Sequence, residues 1–433
     1  MKNSDDGVLS DIDALKAMAG VAALINPAIT HFEAGNLQEA EALAENILRQ
    51  QPNNTAAVNL LGNIALSRNQ FELARELISR AVRMNPNDPG YRMNLCVAIQ
   101  RQGFVQEALG AYEELLRVYP DYAEAHYNYA QLLLLTGDFR GGWKEYEWRK
   151  KMPAMQSPYC NDVSRQWNGE PLNGRSVLVY AEQGLGDTIQ FIRYVDLLVQ
   201  LGGKVMVQCQ ASVRRLLSSM PGIDSLTAWG DPLPDHDVLA SLMSLPYLLG
   251  TVLDNIPGQV PYLFPPKPRQ SLDNGISIDV AKKNVGIVWA GNPRHKNDHN
   301  RSVELSRFLP LIETPGIKWY SLQVGSRAGD LIATEGFDDV TDTSPMLKDF
   351  SDTATVIERL DLVITVDTSV AHLAGALDVP VWVLLPYDPD WRWLLGRADS
   401  PWYPSMRLFR QSAPGDWSGV FAAASTALRG LMP

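Results

Sequence analysis

Pro52, Pro86 and Pro120 stand 34 residues apart, and Gly35, Asn69, Gly103 and Gly137 keep the same step, as do Ala40, Ala74, Ala108 and Gly142. A chain that repeats at this interval is built from stacked copies of one unit, none of which can bury its apolar face alone. A proline stop, a turn residue in mid-repeat and a small residue where two helices cross predict one helical hairpin per copy. Four such hairpins stack into a solenoid whose concave face is a groove for a peptide or protein, or else serve as a spacer or dimerisation element.

The spacing is the tetratricopeptide pattern. Leu61 and Gly62 supply its Leu-Gly pair, and Cys96 falls on the small-residue position of the next copy, which makes it a packing residue. The array is assigned to residues 1–150.

After Trp148 the period stops. Residues 151–173, with Pro153, Pro158, Gly169 and Pro171, read as a linker that ends at Gly174. Strand and helix then alternate. Val177 to Tyr180 and Lys204 to Gln208 are expected strands, with helices from Asp187 to Leu201 and from Ala211 to Met220. A break with Pro257, Pro261, Pro265, Pro266 and Pro268 precedes expected strands at Val285 to Ala290, Ile317 to Gln323, Leu362 to Val366 and Val381 to Leu384. The expected fold is thus an α solenoid followed by two Rossmann-like α/β lobes, at 174–283 with the Pro-rich hinge and at 284–433. The ligand cleft lies between them at the carboxyl ends of their strands.

Three segments sit where that cleft would be. In the first, Glu182 to Thr188, Gly184 and Gly186 let a ligand approach the backbone, and the helix start favours an anion. Ile189 replaces the third glycine of a dinucleotide fingerprint, which argues against an NAD enzyme. Asp187 is either a helix cap, with Gln190 completing a capping box, or a catalytic carboxylate. The second segment, Trp289 to Arg301, carries Arg294, Lys296 and Arg301, cations suited to a diphosphate; they oppose a metal at His295, Asp298 and His299. In the third, Val366 to Ala374, Thr368 and Ser369 are natural caps whose helix amides face the cleft. His372 is either a core histidine or part of that site.

Charge narrows the partners. The net charge of −11 and the split of 14 basic and 19 acidic residues before position 151 against 24 and 30 after it leave no basic half for nucleic acid. Three widely spaced cysteines, Cys96, Cys160 and Cys209, form no disulfide framework, and no apolar run spans a bilayer. The acidic N-terminus is unlike a signal peptide, so a soluble cytoplasmic protein is expected.

The run Gly184-Leu185-Gly186-Asp187, together with Asp367-Thr368-Ser369-Val370-Ala371-His372-Leu373-Ala374, resembles the ADP-heptose:lipopolysaccharide heptosyltransferase family of inverting GT-B glycosyltransferases. The tandem with tetratricopeptide repeats is similar to bacterial repeat-containing glycosyltransferases that modify proteins, and in architecture to O-GlcNAc transferase. The resemblance implies an inverting, metal-independent sugar transfer from a nucleotide-activated donor, which serves as co-substrate, with no cofactor. It implies Asp187 as base, Lys296 as a phosphate contact and Asp367 to His372 as the donor-phosphate loop. Gly184, Gly186 and Arg301 complete the expected donor site, and the acceptor is expected to be a protein captured by the repeats. In GT-B proteins the last helix, here Trp417 to Leu431 capped by Asp416, crosses back to the first lobe.

One departure stands out. Tyr387 to Gln411 is unusually rich in tryptophan, and Asp388-Pro389-Asp390 reads as a turn more readily than as a metal triplet. Trp391 and Arg392, with Gln183 and Gln190, are expected substrate contacts; the alternative for the indoles is a core patch between lobes. The rival to an enzyme is a non-catalytic repeat scaffold with a nucleotide-binding or degenerate second region.

Overall fold

The computed structural model describes residues 25–432 except 156, 158, 160, 161, 268–275, 277 and 296, and at 163 only the backbone. The chain divides into two compact units, Met1–Leu132 and Leu133–Pro433.

The first unit is helical. A helix over 25–33 (α1) is followed by α2 (Leu37–Gln50), α3 (Thr55–Ser67), α4 (Phe71–Met84), α5 (Pro89–Arg101) and α6 (Val105–Val118), and the unit ends within α7 (Ala123–Thr136). The 34-residue pattern has a local cause at each position. Gly35, Asn69 and Gly103 have φ of 80°, 58° and 86°, the left-handed turn that glycine and asparagine tolerate. Ala40, Ala74 and Ala108 are fully buried. At Gly62 a Cβ would lie 2.4 Å from Cγ1 of Ile78, so the crossing of α3 and α4 admits no side chain there. Two residues after each of the first two prolines a cap starts the next helix: Asn54 accepts the Ala57 N–H at 3.0 Å, and Asp88 that of Tyr91 at 3.0 Å.

The second unit takes up the end of α7 and continues with α8 (Phe139–Tyr146) and a 3₁₀ turn at Glu147–Lys151. The expected boundary at 150 therefore falls inside this unit. The reason is packing: Trp143 lies edge-on to Trp391 at 5.1 Å and to Phe191 at 6.0 Å, and Phe139 stacks on Trp402 at 5.8 Å. The stretch read as a linker is also partly docked, since Trp167 and Leu172 are buried and the Trp167 N–H donates to the Leu239 carbonyl at 2.9 Å.

A four-stranded parallel sheet has the order β3-β2-β1-β4, with β1 Ser176–Tyr180, β2 Lys204–Cys209, β3 Ile223–Ala228 and β4 Val238–Ser241. Helix α9 (Leu185–Phe191) follows β1, and α10 (Ala211–Leu217) follows β2. The single helix expected from Asp187 to Leu201 is broken by a 3₁₀ turn at Ile192–Tyr194 before it resumes at Val195–Gln200.

A six-stranded parallel sheet comprises β5 (Lys283–Val288), β6 (Ile317–Ser321), β7 (Thr341–Asp342), β8 (Leu362–Val366), β9 (Val381–Leu385) and β10 (Met406–Arg410). Its order, β7-β6-β5-β8-β9-β10, is that of the doubly wound dinucleotide-binding sheet. Between strands lie α11 (Phe350–Ile357) and α12 (Ser369–Ala376), and α13 (Trp417–Arg429) closes the fold. Asp416 caps α13 by accepting the Gly419 N–H at 2.9 Å. Helix α13 does not cross back to the first lobe: Trp417, Val420, Phe421, Ala424 and Leu428 are buried in the core of the six-stranded sheet, with Phe421 against Phe308 at 5.0 Å.

Cys96 and Cys209 are buried free thiols whose pKa burial raises to about 12, which leaves them inert; Cys160 lies outside the described residues. No helix among the described residues is long and apolar enough to cross a membrane.

Candidate active site

In the six-stranded sheet the order reverses between β5 and β8, so the segments leaving them part and open a crevice. Those segments are Trp289 to Arg301 and Asp367 to Ser369. Thr368 is the N-cap of α12: its Oγ1 accepts the Val370 N–H at 3.3 Å, and its carbonyl accepts that of Ala371 at 3.0 Å. The Ser369 N–H is then the amide left at this helix start. Arg301 lies over Gly291, where a Cβ would come within 2.7 Å of Arg301 Nη2, and its Nε donates to Asp298 at 3.2 Å. Lys296 lies outside the described residues.

Asp187 arrives from the other lobe. Gly184, not Asp187, is the N-cap of α9. Asp187 is in its first turn, and Oδ2 accepts the Gly184 N–H at 2.8 Å. Gln190 completes no capping box. Its Oε1 instead accepts Arg392 Nε at 2.7 Å, while its Nε2 is buried without a partner. The same guanidinium donates to Asp187 Oδ1 and to Asp390 Oδ1, the latter at 2.8 Å, and lies over the Trp391 ring at 4.1 Å. Asp187 and Arg392, 205 residues apart, thus form an ion pair between the lobes.

Burial raises the Asp187 pKa above the ordinary carboxylate value; Arg392 opposes the shift and Asp390 adds to it. Arg392 itself is raised although burial alone would lower it, because two carboxylates share its charge. The guanidinium is more than compensated, and Asp187 is not. Asp367, also buried, is pushed up to about 6 by desolvation first and by Asp390 second.

His372 is buried. It stacks on Trp393 at 5.2 Å, its Nδ1 is 3.0 Å from the Tyr403 hydroxyl, and burial with three nearby arginines holds it neutral. It also explains Gly186, whose added Cβ would meet His372 Cδ2 at 2.9 Å. The glycine thus leaves room for the opposite lobe. Val370 is buried behind the loop. Trp391 is 3% exposed among Trp143, Phe191 and Trp402, which places it in an aromatic core patch. Gln183 accepts the Tyr146 hydroxyl at 3.1 Å and so faces α8. Of the expected residues, Asp187, Arg392, Asp367 and Arg301, with the neutral Gln190, form one polar cluster beside Thr368 and Ser369.

Two arginines were missed by the sequence reading. Arg193, fully buried, donates to the carbonyls of Trp402 at 2.8 Å and Pro257 at 3.1 Å and to the Tyr262 hydroxyl at 2.9 Å, which pins the Pro-rich hinge to both lobes. Arg149, in the turn after α8, binds Glu182 at 2.7 Å, Glu147 at 2.7 Å and Ser244 at 2.8 Å, and so fills the carboxyl ends of β1 and β4. Neither has a local sequence signal, because apart from Glu147 the partners named are distant in the chain. Among the described residues no group of three or more His, Cys, Asp or Glu side chains is arranged to hold a metal ion.

Models of the tetratricopeptide repeat match residues 31–95 and 100–141, so the helical repeats are tetratricopeptide repeats. Protein FlbA of Caulobacter vibrioides is 22% identical over 417 residues, covering 90% of this chain and 70% of that protein. A mutant of the O-GlcNAc transferase of Thermobaculum terrenum is similar over 96% of this chain and 92% of its own, at 15% identity and a TM-score of 0.35. A glycosyl transferase of family 9 from Veillonella parvula is similar over 57% of this chain and 88% of its own, at 12% identity and a TM-score of 0.44.

Proposed function

We propose that this chain is an inverting, metal-independent glycosyltransferase that moves a sugar from a nucleotide-activated donor to a protein held by the repeats. The observation that carries the reading is the Asp187–Arg392 pair, which brings a desolvated carboxylate of one lobe beside the cation-bearing crevice of the other. The acceptor hydroxyl oxygen attacks the anomeric carbon as the bond from that carbon to the phosphate oxygen breaks. Asp187 takes the hydroxyl proton, and the diphosphate leaves with the electron pair toward Arg301, Lys296 and the Ser369 amide. A helix start by itself would make Asp187 a weaker base, and its burial offsets this. Arg392 positions the carboxylate until the donor's own charge competes for it.

The test is calorimetry over a panel of nucleotides and nucleotide sugars, with and without EDTA, followed by transfer to candidate proteins. Binding that survives EDTA and a protein product that gains one sugar are expected. Binding abolished by EDTA sinks the phosphate-loop reading, and a chain that binds no nucleotide is a scaffold. To test the repeats, a shortened chain should start at residue 133, because a start near 152 also removes Trp143 and Arg149. It should bind donor and lose transfer to the protein.

A further inference from the structure

A cleft of about 350 Å³ opens in the first lobe, lined by Ala181, Glu182, Gln208, Trp229, Tyr159 and Met155 among others. It lies at the carboxyl ends of β1, β2 and β3, beside the ends of β1 and β4 that Arg149 links through Glu182 and Ser241, and its size is at the small end of ligand clefts. Its chemistry is specific. The Glu182 side chain is 3% exposed; its Oε1 accepts Arg149 Nε at 2.8 Å and the Ser241 hydroxyl at 2.5 Å, yet its Oε2 is buried with no hydrogen-bond partner. Arg149 already balances its charge, so the vacant oxygen calls for a neutral donor, a hydroxyl, and not for a cation. Gln208 spends Oε1 on the Tyr159 hydroxyl at 2.7 Å, which leaves its Nε2 to donate. Trp229 is 49% exposed, an unusual state for an indole, and its Nε1 is held by the Ala181 carbonyl at 3.2 Å, which fixes the ring at the cleft wall.

We propose that this cleft takes a pyranose ring, its C–H face on Trp229, one hydroxyl donating to Glu182 Oε2 and another accepting from Gln208 Nε2. The partly positive C–H hydrogens of a sugar suit the negative face of an indole, and its hydroxyls suit one acceptor and one donor on the same wall. Resting on the transfer reading above, the ring is the accepting sugar of a protein already glycosylated. The hydroxyl that attacks is then a sugar hydroxyl, and an earlier glycosyl transfer to a protein side chain must supply this substrate.

The experiment titrates the full chain with a panel of methyl glycosides (glucoside, galactoside, mannoside and N-acetylglucosaminide), read by tryptophan fluorescence and saturation-transfer NMR. At least one is expected to bind at millimolar concentration. Trp229→Ala should weaken that glycoside about tenfold with nucleotide binding unchanged, and Trp229→Phe should restore part of the loss. Gln208→Leu, which keeps Arg149 and Glu182 paired, should weaken it also. If no glycoside binds, or if Trp229→Ala binds as well as the native chain, the cleft is not a sugar site. If glycosides bind through Trp229 but no nucleotide binds anywhere, the transfer reading and the accepting role fall while the sugar site stands. Transfer to an unglycosylated protein at the rate of its glycosylated form overturns the accepting role alone.

Discussion

The repeat unit and the α/β unit both bury apolar surface and organise it in opposite ways. In the repeats each position does one job, and the job recurs every 34 residues: Gly35, Asn69 and Gly103 turn the chain, and Ala40, Ala74 and Ala108 let helices cross. Their partners are a few residues away or in the next helix. In the α/β unit no job recurs. Asp187 meets Arg392 across 205 residues, and Arg149 meets Ser244 across 95. The difference teaches where single substitutions are felt: loss in the array is graded and local, whereas loss in the α/β unit strands a buried charge or removes a chemical step.

The largest effect expected is that of Asp187→Asn, which should lower transfer by two to four orders of magnitude, about 3 to 5 kcal/mol of barrier. The amide oxygen still accepts from Gly184 and Arg392 keeps its pairing with Asp390, so melting and donor affinity should barely change, and wild-type turnover would make Asp187 a structural residue only. Because the native carboxyl titrates above its ordinary value, activity should rise with pH through an acidic limb displaced upward from that value. Next, Arg149→Ala leaves Glu182 buried without its cation and should cost the α/β unit about 3 to 5 kcal/mol in urea unfolding. An equal loss in the repeat unit, followed by a probe placed there, would break the division.

Asp367 gives a pH test. Its folded pKa, about 6, is above the unfolded value, so its stabilising contribution is complete below about 4 and is lost as pH rises through 6. Asp367→Asn should therefore stabilise the α/β unit at pH 7 by about 3 kcal/mol and flatten the slope between pH 4 and 6. A variant as pH-sensitive as the native chain would put the titration elsewhere. In the array, Gly62→Ala should cost about 1 to 2 kcal/mol, since overpacking against Ile78 outweighs the gain in helix propensity. The smallest effect is Asn69→Gly, neutral or stabilising by less than about 1 kcal/mol because φ is 58°. A clear loss there would mean that the Asn69 side chain does more than turn the chain.

Helix α12 shows how much of the site was legible. Thr368 as cap and Ser369 as first helical residue are local chemistry, and Leu362 to Val366 is a strand with the bounds that its apolar run suggests. The strands β3, β4 and β10 escaped notice because edge pairing tolerates Asp224 and Arg407, and because Val238 to Ser241 is too short to show a pattern. The indoles misled in the opposite sense. Trp391, read as a substrate contact, packs against α8, while Trp229, passed over, stands exposed at a strand end.

The sequence by itself determined the repeat unit, its period and its turns, and most of the alternation of strand and helix that follows, because those depend on φ, side-chain size and apolar spacing within a few residues. It also named Asp187 without saying whether it caps or reacts. Only the tertiary structure decided that α8 belongs to the α/β unit, that Gly186 makes room for His372, and that Asp187 shares Arg392 with Asp390. The physical reason is that burial and charge compensation are properties of what surrounds a group in space. A carboxylate's neighbours on the far lobe leave no mark in the residues beside it.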